Sequence, residues 1–213
     1  MKKKILVACL CVALAVLTIA GTTLAYLTSQ DKVVNTFTVG NVQIKLDEAK
    51  ANADGTLVAN ADRVKANSYK LIPGHTYNKD PMVTVLEGSE SSYIKMTVTF
   101  SKAAELDAIF APNGADMTSI FNGYDSTNWI YKGNTKDATN NTRTYEFWYK
   151  ATVAAPDANV ALDALFDSIT VPGSITNTQL ATIANMTITV NAYAIQADGF
   201  ATPEAAWAAY AAA

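Results

Sequence analysis

Few residues in this chain have types and spacings that could do chemistry. Its one histidine, His75, sits in the turn-like run PGHTY. A zinc site built on two histidines would need a second, and no HExxH occurs. A Ser-His-Asp arrangement would have to recruit His75, yet no serine lies in a GxSxG setting. His75 therefore reads as a solvated turn residue. Glu87 and Glu90 in LEGSESS are close enough in sequence for paired acid–base work, but the pattern is that of a solvated hairpin tip. The acidic residues do not follow EF-hand spacing, and the glycines are dispersed in turns rather than gathered in a phosphate loop. Asn140-Asn141-Thr142 and Asn185-Met186-Thr187 match the short glycosylation sequon. No residue reads as catalytic or as a metal ligand, no cofactor is implied, and no enzyme is expected.

The only cysteines, Cys9 and Cys11, lie in a leader. Lys2, Lys3 and Lys4 give a positive start, Ile5 to Ala20 an apolar stretch, and Gly21-Thr22-Thr23-Leu24-Ala25 a run ending in small residues. That order is the secretory pattern, with a cut expected between Ala25 and Tyr26. The apolar stretch falls short of the ~20 residues of a spanning helix, so an uncleaved anchor is the weaker alternative. Leu6-Val7-Ala8-Cys9 imitates a lipobox but follows too little apolar sequence. After cleavage the chain would hold no cysteine, which removes disulfides and thiol chemistry together. About 190 residues would remain, enough for one core built by packing alone. Without the three leader lysines, the balance of 16 basic to 19 acidic residues turns further acidic. No basic cluster points to nucleic acid or to an anionic membrane surface.

The elements that must position any site read as strands. In YIKMTVTF, Ile94, Met96, Val98 and Phe100 share a face; in NMTITVNAYAI, Met186, Ile188, Val190 and Ala192 do. In YEFWYKA, Tyr145, Phe147 and Tyr149 oppose Glu146, Trp148 and Lys150. Half-buried alternation of this kind belongs to antiparallel sheets. Near the start, Val33, Phe37 and Val39 occupy odd positions and Val42, Ile44 and Leu46 even ones, so the phase flips at Gly40-Asn41. A glycine bulge or a plain turn would each produce that flip.

Asp54-Gly55, Asn113-Gly114, Asn122-Gly123 and Asp198-Gly199 read as tight turns, Pro73-Gly74 and Pro172-Gly173 as type II turns. Helices are expected from a Ser101 cap through Phe110, burying Leu106, Ile109 and Phe110, and from an Asp157 cap, burying Leu162, Leu165 and Phe166. A third would open at Thr202-Pro203-Glu204 and dock through Trp207 and Tyr210. Residues Glu48 to Asn67 look most loop-like, and Trp129 and Trp148 suit core or sheet-face packing better than exposed contacts. The expectation is one mainly β domain, an antiparallel β-sandwich with a few short helices in connections and at the C-terminus.

The junction GTTLAY and the following AYLTSQDKVVNTFTVGNVQIKLDE strongly resemble the processing region of the TasA/camelysin family of secreted Gram-positive proteins. LIPGHTYNKDPMVTVLEGSESSYIKMTVTF is similar to that family's Pro-Gly turn and strand pair, and ITVNAYAIQADGFATPEAAWAAY to its C-terminal strand and helix. These blocks cover roughly half the chain, and Lys102 to Ile183 lie outside them. The resemblance implies a jelly-roll-like sandwich, a SipW-type signal peptidase as processing partner, and a place in extracellular biofilm-matrix fibres or at the cell surface. It implies residues 1–25 as signal peptide, 26–40 as a donor strand, and 41–213 as the sandwich. Tyr26, Leu27, Val33, Val34, Phe37 and Val39 would carry assembly, with the chain self-associating or joining a related matrix protein. The membrane would be a partner only before cleavage. A camelysin-like surface peptidase and a monomeric surface-binding module are the alternatives.

Overall fold

The computed structural model describes residues 40–110 and 120–212. The expected cleavage junction Ala25-Tyr26 and the assembly residues Tyr26, Leu27, Val33, Val34, Phe37 and Val39 lie outside them, as does the Asn113-Gly114 turn.

Strict alternation in Ser89–Ser101 produces the longest strand and the axis of the fold. The strands in chain order are β1 (Ile44–Asp47), β2 (Thr76–Asn78), β3 (Met82–Val85), β4 (Ser89–Ser101), β5 (Phe121–Asn122) and β6 (Trp129–Asp137). They continue as β7 (Thr142–Tyr149), β8 (Val153–Ala155), β9 (Val160–Ala161), β10 (Ser168–Thr170) and β11 (Ile188–Gln196). Among the described residues, three short helices, α1 (Ala103–Phe110), α2 (Asn177–Thr182) and α3 (Pro203–Ala212), sit in connections and at the end. The chain is mainly β and antiparallel throughout the described pairings.

One layer is the sheet β11-β4-β7-β6, with β8 pairing the start of β4. Two smaller sheets, β1-β3-β9 and β2-β10-β5, supply the residues that pack against it. Ile94, Met96, Val98 and Phe100 of β4 are buried as the alternation requires, with Tyr145 and Phe147 of β7 beside them. From the other side, Phe121 of β5 meets Phe100, Tyr145 and Phe147 at ring-centroid distances of 5.8, 5.4 and 5.9 Å, and Phe166 at 4.5 Å. These edge-on and tilted contacts join the two layers of a β-sandwich-like fold.

The sheet's outer face is covered by α3. Thr202 Oγ1 accepts from the Ala205 amide, and Pro203 and Glu204 occupy the first turn, as the sequence implies. Trp207 is buried, 6.2 Å from Trp148 by ring centroid, and Lys95 Nζ sits 4.5 Å from its ring centre. The ammonium also lies within 5.4 Å of Tyr193 and 5.6 Å of Tyr210, so one cation clasps three aromatic rings. Both Trp129 and Trp148 are buried rather than exposed.

Three expectations need correction. Ser101 does not cap α1: it ends β4 and exchanges hydrogen bonds with Thr187. Asn141 takes the capping role from the β6–β7 turn, its carbonyl accepting from the Ala103 amide and its Oδ1 from Ala104. No helix follows Asp157. Val160 and Ala161 form β9 on β3, while Leu162, Leu165 and Phe166 are buried from irregular backbone. Gly74 has the positive φ of +77° that a type II turn demands, but Gly173 is not among the residues at positive φ.

The joining of layers at Phe121 gives a direct prediction. Phe121→Ala should cost about 3–5 kcal/mol in urea unfolding, against about 0.5 kcal/mol or less for Ile130→Ala on solvent-facing β6. Similar losses at both positions would contradict this account of the core.

Candidate functional site

The candidate site is the seam between β1 and β11. Among the described residues both are terminal strands of their sheets, β1 pairing with β3 and β11 with β4. In an antiparallel pair, successive residues turn their backbone groups alternately toward the partner and away. Ser101 donates to the Thr187 carbonyl and Ala197 to the Ser91 carbonyl, which fixes the phase of β11 in its register with β4. Thr189, Asn191, Tyr193 and Ile195 therefore bond β4, and Ile188, Val190, Ala192 and Ala194 turn their amides and carbonyls outward. The same argument on β1, phased by the Leu86 amide on the Gln43 carbonyl, turns the backbone of Ile44 and Leu46 outward. Among the described residues no strand pairs with either edge.

The side chains on these outward-turned residues are apolar. Ile44, Leu46, Ile188, Val190, Ala192 and Ala194 are all partly buried against the core. Two cavities of about 380 Å³ each adjoin the seam. One runs inward past Tyr69, Tyr77, Phe100, Leu106 and Ile183; the other is bordered by Leu46, Glu48, Pro81 and Val190; Asn67, Lys79 and Ile188 line both. An extended segment with one apolar face would meet the outward backbone groups of β11 and apolar side chains beside them.

The opposite edge of the large sheet is built differently. On β6 the register with β7 shifts between Tyr131 and Gly133, Gly133 has φ +123°, and Lys132 and Lys136 stand along it. Bulges and lysines are the usual means of keeping an edge from pairing with another chain. β11, with the sequence ITVNAYAIQ, has no charge, glycine or proline along its nine residues.

A charged cluster anchors the loop beside the seam. Arg63 donates from Nε to Asp47 Oδ1 at 2.6 Å and from Nη1 to Asp80 Oδ2 at 2.8 Å, and its Nη2 reaches the carbonyls of both residues. Lys45 adds a contact to Asp47 Oδ2 at 2.7 Å. Lys79 Nζ meets Glu48 Oε2 at 2.5 Å, both residues being buried. Lys65, which is exposed, reaches the outward Leu46 carbonyl with its ammonium. Burial alone would raise the Asp47 carboxyl, but hydrogen bonds and charge from Lys45 and Arg63 outweigh it and hold the group below its ordinary value. Burial, reinforced by the charge of Glu48, pushes the Tyr69 phenol up to about 12.

None of the residues singled out for chemistry in the sequence meets another in this site. His75 is exposed in its turn, its ring 6.4 Å from that of Tyr77. Glu87 and Glu90 are exposed around the β3–β4 turn. Among the described residues, no group of three or more His, Cys, Asp or Glu side chains could hold a metal ion. Sequence reasoning missed Glu48, Arg63, Asn67 and Lys79, because the stretch containing most of them reads as a polar loop. The one signal was charge set against strand ends, Asp47-Glu48 after β1 and Lys79-Asp80 before β3. Nothing in their spacing reveals the pairing. No protein-family model, curated protein or solved structure matches this chain.

Asp47 sets an acid limit on stability. A carboxyl depressed in the folded state contributes fully above its unfolded value and loses that contribution as pH falls through the folded value. Stability should therefore decline from about pH 4 downward. Arg63→Ala should cost about 1–3 kcal/mol at neutral pH by stranding Asp47, and should flatten the decline below pH 4. Parallel stability–pH curves for the two proteins would contradict the assignment.

Proposed function

We propose that this chain is a secreted structural protein, a subunit or accessory of extracellular biofilm-matrix fibres. In this reading the N-terminal segment of one copy lies in the β1–β11 seam of the next. The observation that carries it is the seam itself, an apolar groove between two sheet edges, one of them uncharged and regular for nine residues. The occupant is argued from the chain. The segment beginning at Tyr26 carries the apolar residues Leu27, Val33, Val34, Phe37 and Val39 and leads directly into Gly40 ahead of β1. Tyr26 to Thr36 would span roughly 36 Å when extended, enough to run along β11.

Processing supplies the switch. Before a cut at Ala25-Tyr26, the segment is continuous with the apolar leader and held at the membrane. Afterwards it is free to enter another copy. A SipW-type signal peptidase is the processing partner that the junction resembles. Strand sequence beside the cut then has a purpose, because it becomes a donor strand only when released.

Two purified proteins, one beginning at Tyr26 and one at Asn41, test the reading by light scattering and electron microscopy. Only the longer should form fibres. Fibres from both, or monomers from both with the shorter less stable, would contradict it. A substitution on the acceptor side adds a second arm. Ala192→Pro removes an outward amide that β4 does not use, so it should abolish fibres while the protein stays folded. Normal fibres from this variant would show that β11 is not the acceptor.

A further inference from the structure

At the floor of the seam, Glu48 stands between a lysine and an asparagine. Lys79 Nζ contacts Glu48 Oε2 at 2.5 Å, and Asn67 Nδ2 donates to Glu48 Oε1 at 3.0 Å. Glu48 and Lys79 are 5% and 7% exposed, which is rare for such side chains. The carboxamide is held at both ends: Nδ2 also donates to the Ala49 carbonyl at 2.8 Å, and Oδ1 accepts from the Ala51 amide at 2.9 Å. An amine nucleophile, a carboxyl that touches it, and an amide on that same carboxyl thus share one site, Lys79 and Glu48 buried and Asn67 partly so. Backbone bonds to Ala49 and Ala51 fix the Asn67 carboxamide with its nitrogen on the carboxylate that also holds the Lys79 amine.

We infer that Lys79 and Asn67 are joined by an intramolecular isopeptide bond that Glu48 catalyses. Proton transfer from Lys79 Nζ to the Glu48 carboxylate it touches gives the neutral amine that attacks. The Lys79 Nζ–Asn67 Cγ bond forms, and the oxygen charge that develops on Oδ1 meets the Ala51 amide. Glu48, which touches the leaving nitrogen through Oε1, returns the proton to Nδ2. The Cγ–Nδ2 bond breaks, ammonia departs carrying a second proton from Nζ as ammonium, and Glu48 ends as the carboxylate it began. No oxidant, metal or further reactant is required. The product ties the loop that follows β1 to the entry of β3, fixing one wall of the seam by a covalent bond in a chain whose only cysteines are Cys9 and Cys11. This inference does not depend on the fibre reading.

Mass spectrometry of the full chain tests it without any variant. The intact protein should weigh about 17 Da less than its sequence demands, the mass of one ammonia. Trypsin should yield a branched peptide in which Ala66–Lys70 is attached to residues 71–95, because modified Lys79 resists cleavage. Lys79→Met and Glu48→Gln should each restore the full mass. Recovery of Ala66–Lys70 as an unmodified linear peptide, with complete cleavage after Lys79, would overturn the inference. So would a deficit that survives Lys79→Met, since an asparagine succinimide loses the same mass without the lysine.

Discussion

Backbone amides along a strand demand partners, and this fold meets that demand unevenly. The central strand β4 is paired on both sides, by β11 and by β7, over most of its thirteen residues. Its alternation sends Ile94, Met96, Val98 and Phe100 inward, and the register with β11 carries that order outward to Ile188, Val190, Ala192 and Ala194. The same four residues of β11 have apolar side chains facing the core and backbone groups facing away from β4. Such an edge offers backbone partners and an apolar face to an extended segment. The bulge and lysines of β6 show how differently the opposite edge of this sheet is finished.

The wall of the seam depends on charge as much as on apolar contact. The stretch from Glu48 to Asn67 forms isolated bridges, between Glu48 and Val64 and between Ala51 and Leu57, and its Ala53 and Gly55 carbonyls accept from the Lys70 and Asn78 amides. Arg63 compensates by binding two carboxylates and two carbonyls from the ends of β1 and the entry to β3. Asp80 bridges further, accepting from the Ala49 amide through Oδ1. Glu48 and Lys79 complete the anchoring from below. A segment with almost no regular structure is thereby fixed against the strand whose outer edge it borders.

Much of the fold was legible in the sequence because period-two alternation reports directly on which residues share a face. The strands around Met96, Phe147 and Val190 follow from it, and the Thr202-Pro203-Glu204 signature places α3. What the sequence hid was long-range chemistry. Asn141 lies far along the chain from the helix it caps, and local reasoning assigned that cap to the nearer Ser101. Leu162, Leu165 and Phe166 read as core from their apolar character, but their spacing fits a helix as well as the irregular loop that buries them. The candidate site was half visible: the apolar faces of β1 and β11 could be read, but their separation into terminal strands of different sheets could not. The pairing of Glu48 with Lys79 and Asn67 had no sequence signature at all.

The most direct test of the central claim is amide hydrogen exchange along β11. It would be measured residue by residue in the protein beginning at Asn41, with and without a peptide spanning Tyr26 to Val39. Thr189, Asn191, Tyr193 and Ile195 bond β4 and should be protected in both samples. The account predicts that Ile188, Val190, Ala192 and Ala194 exchange freely without the peptide and become protected with it. Outward amides that stay unprotected at saturating peptide, or that are protected before it is added, would contradict the seam as an acceptor for that strand.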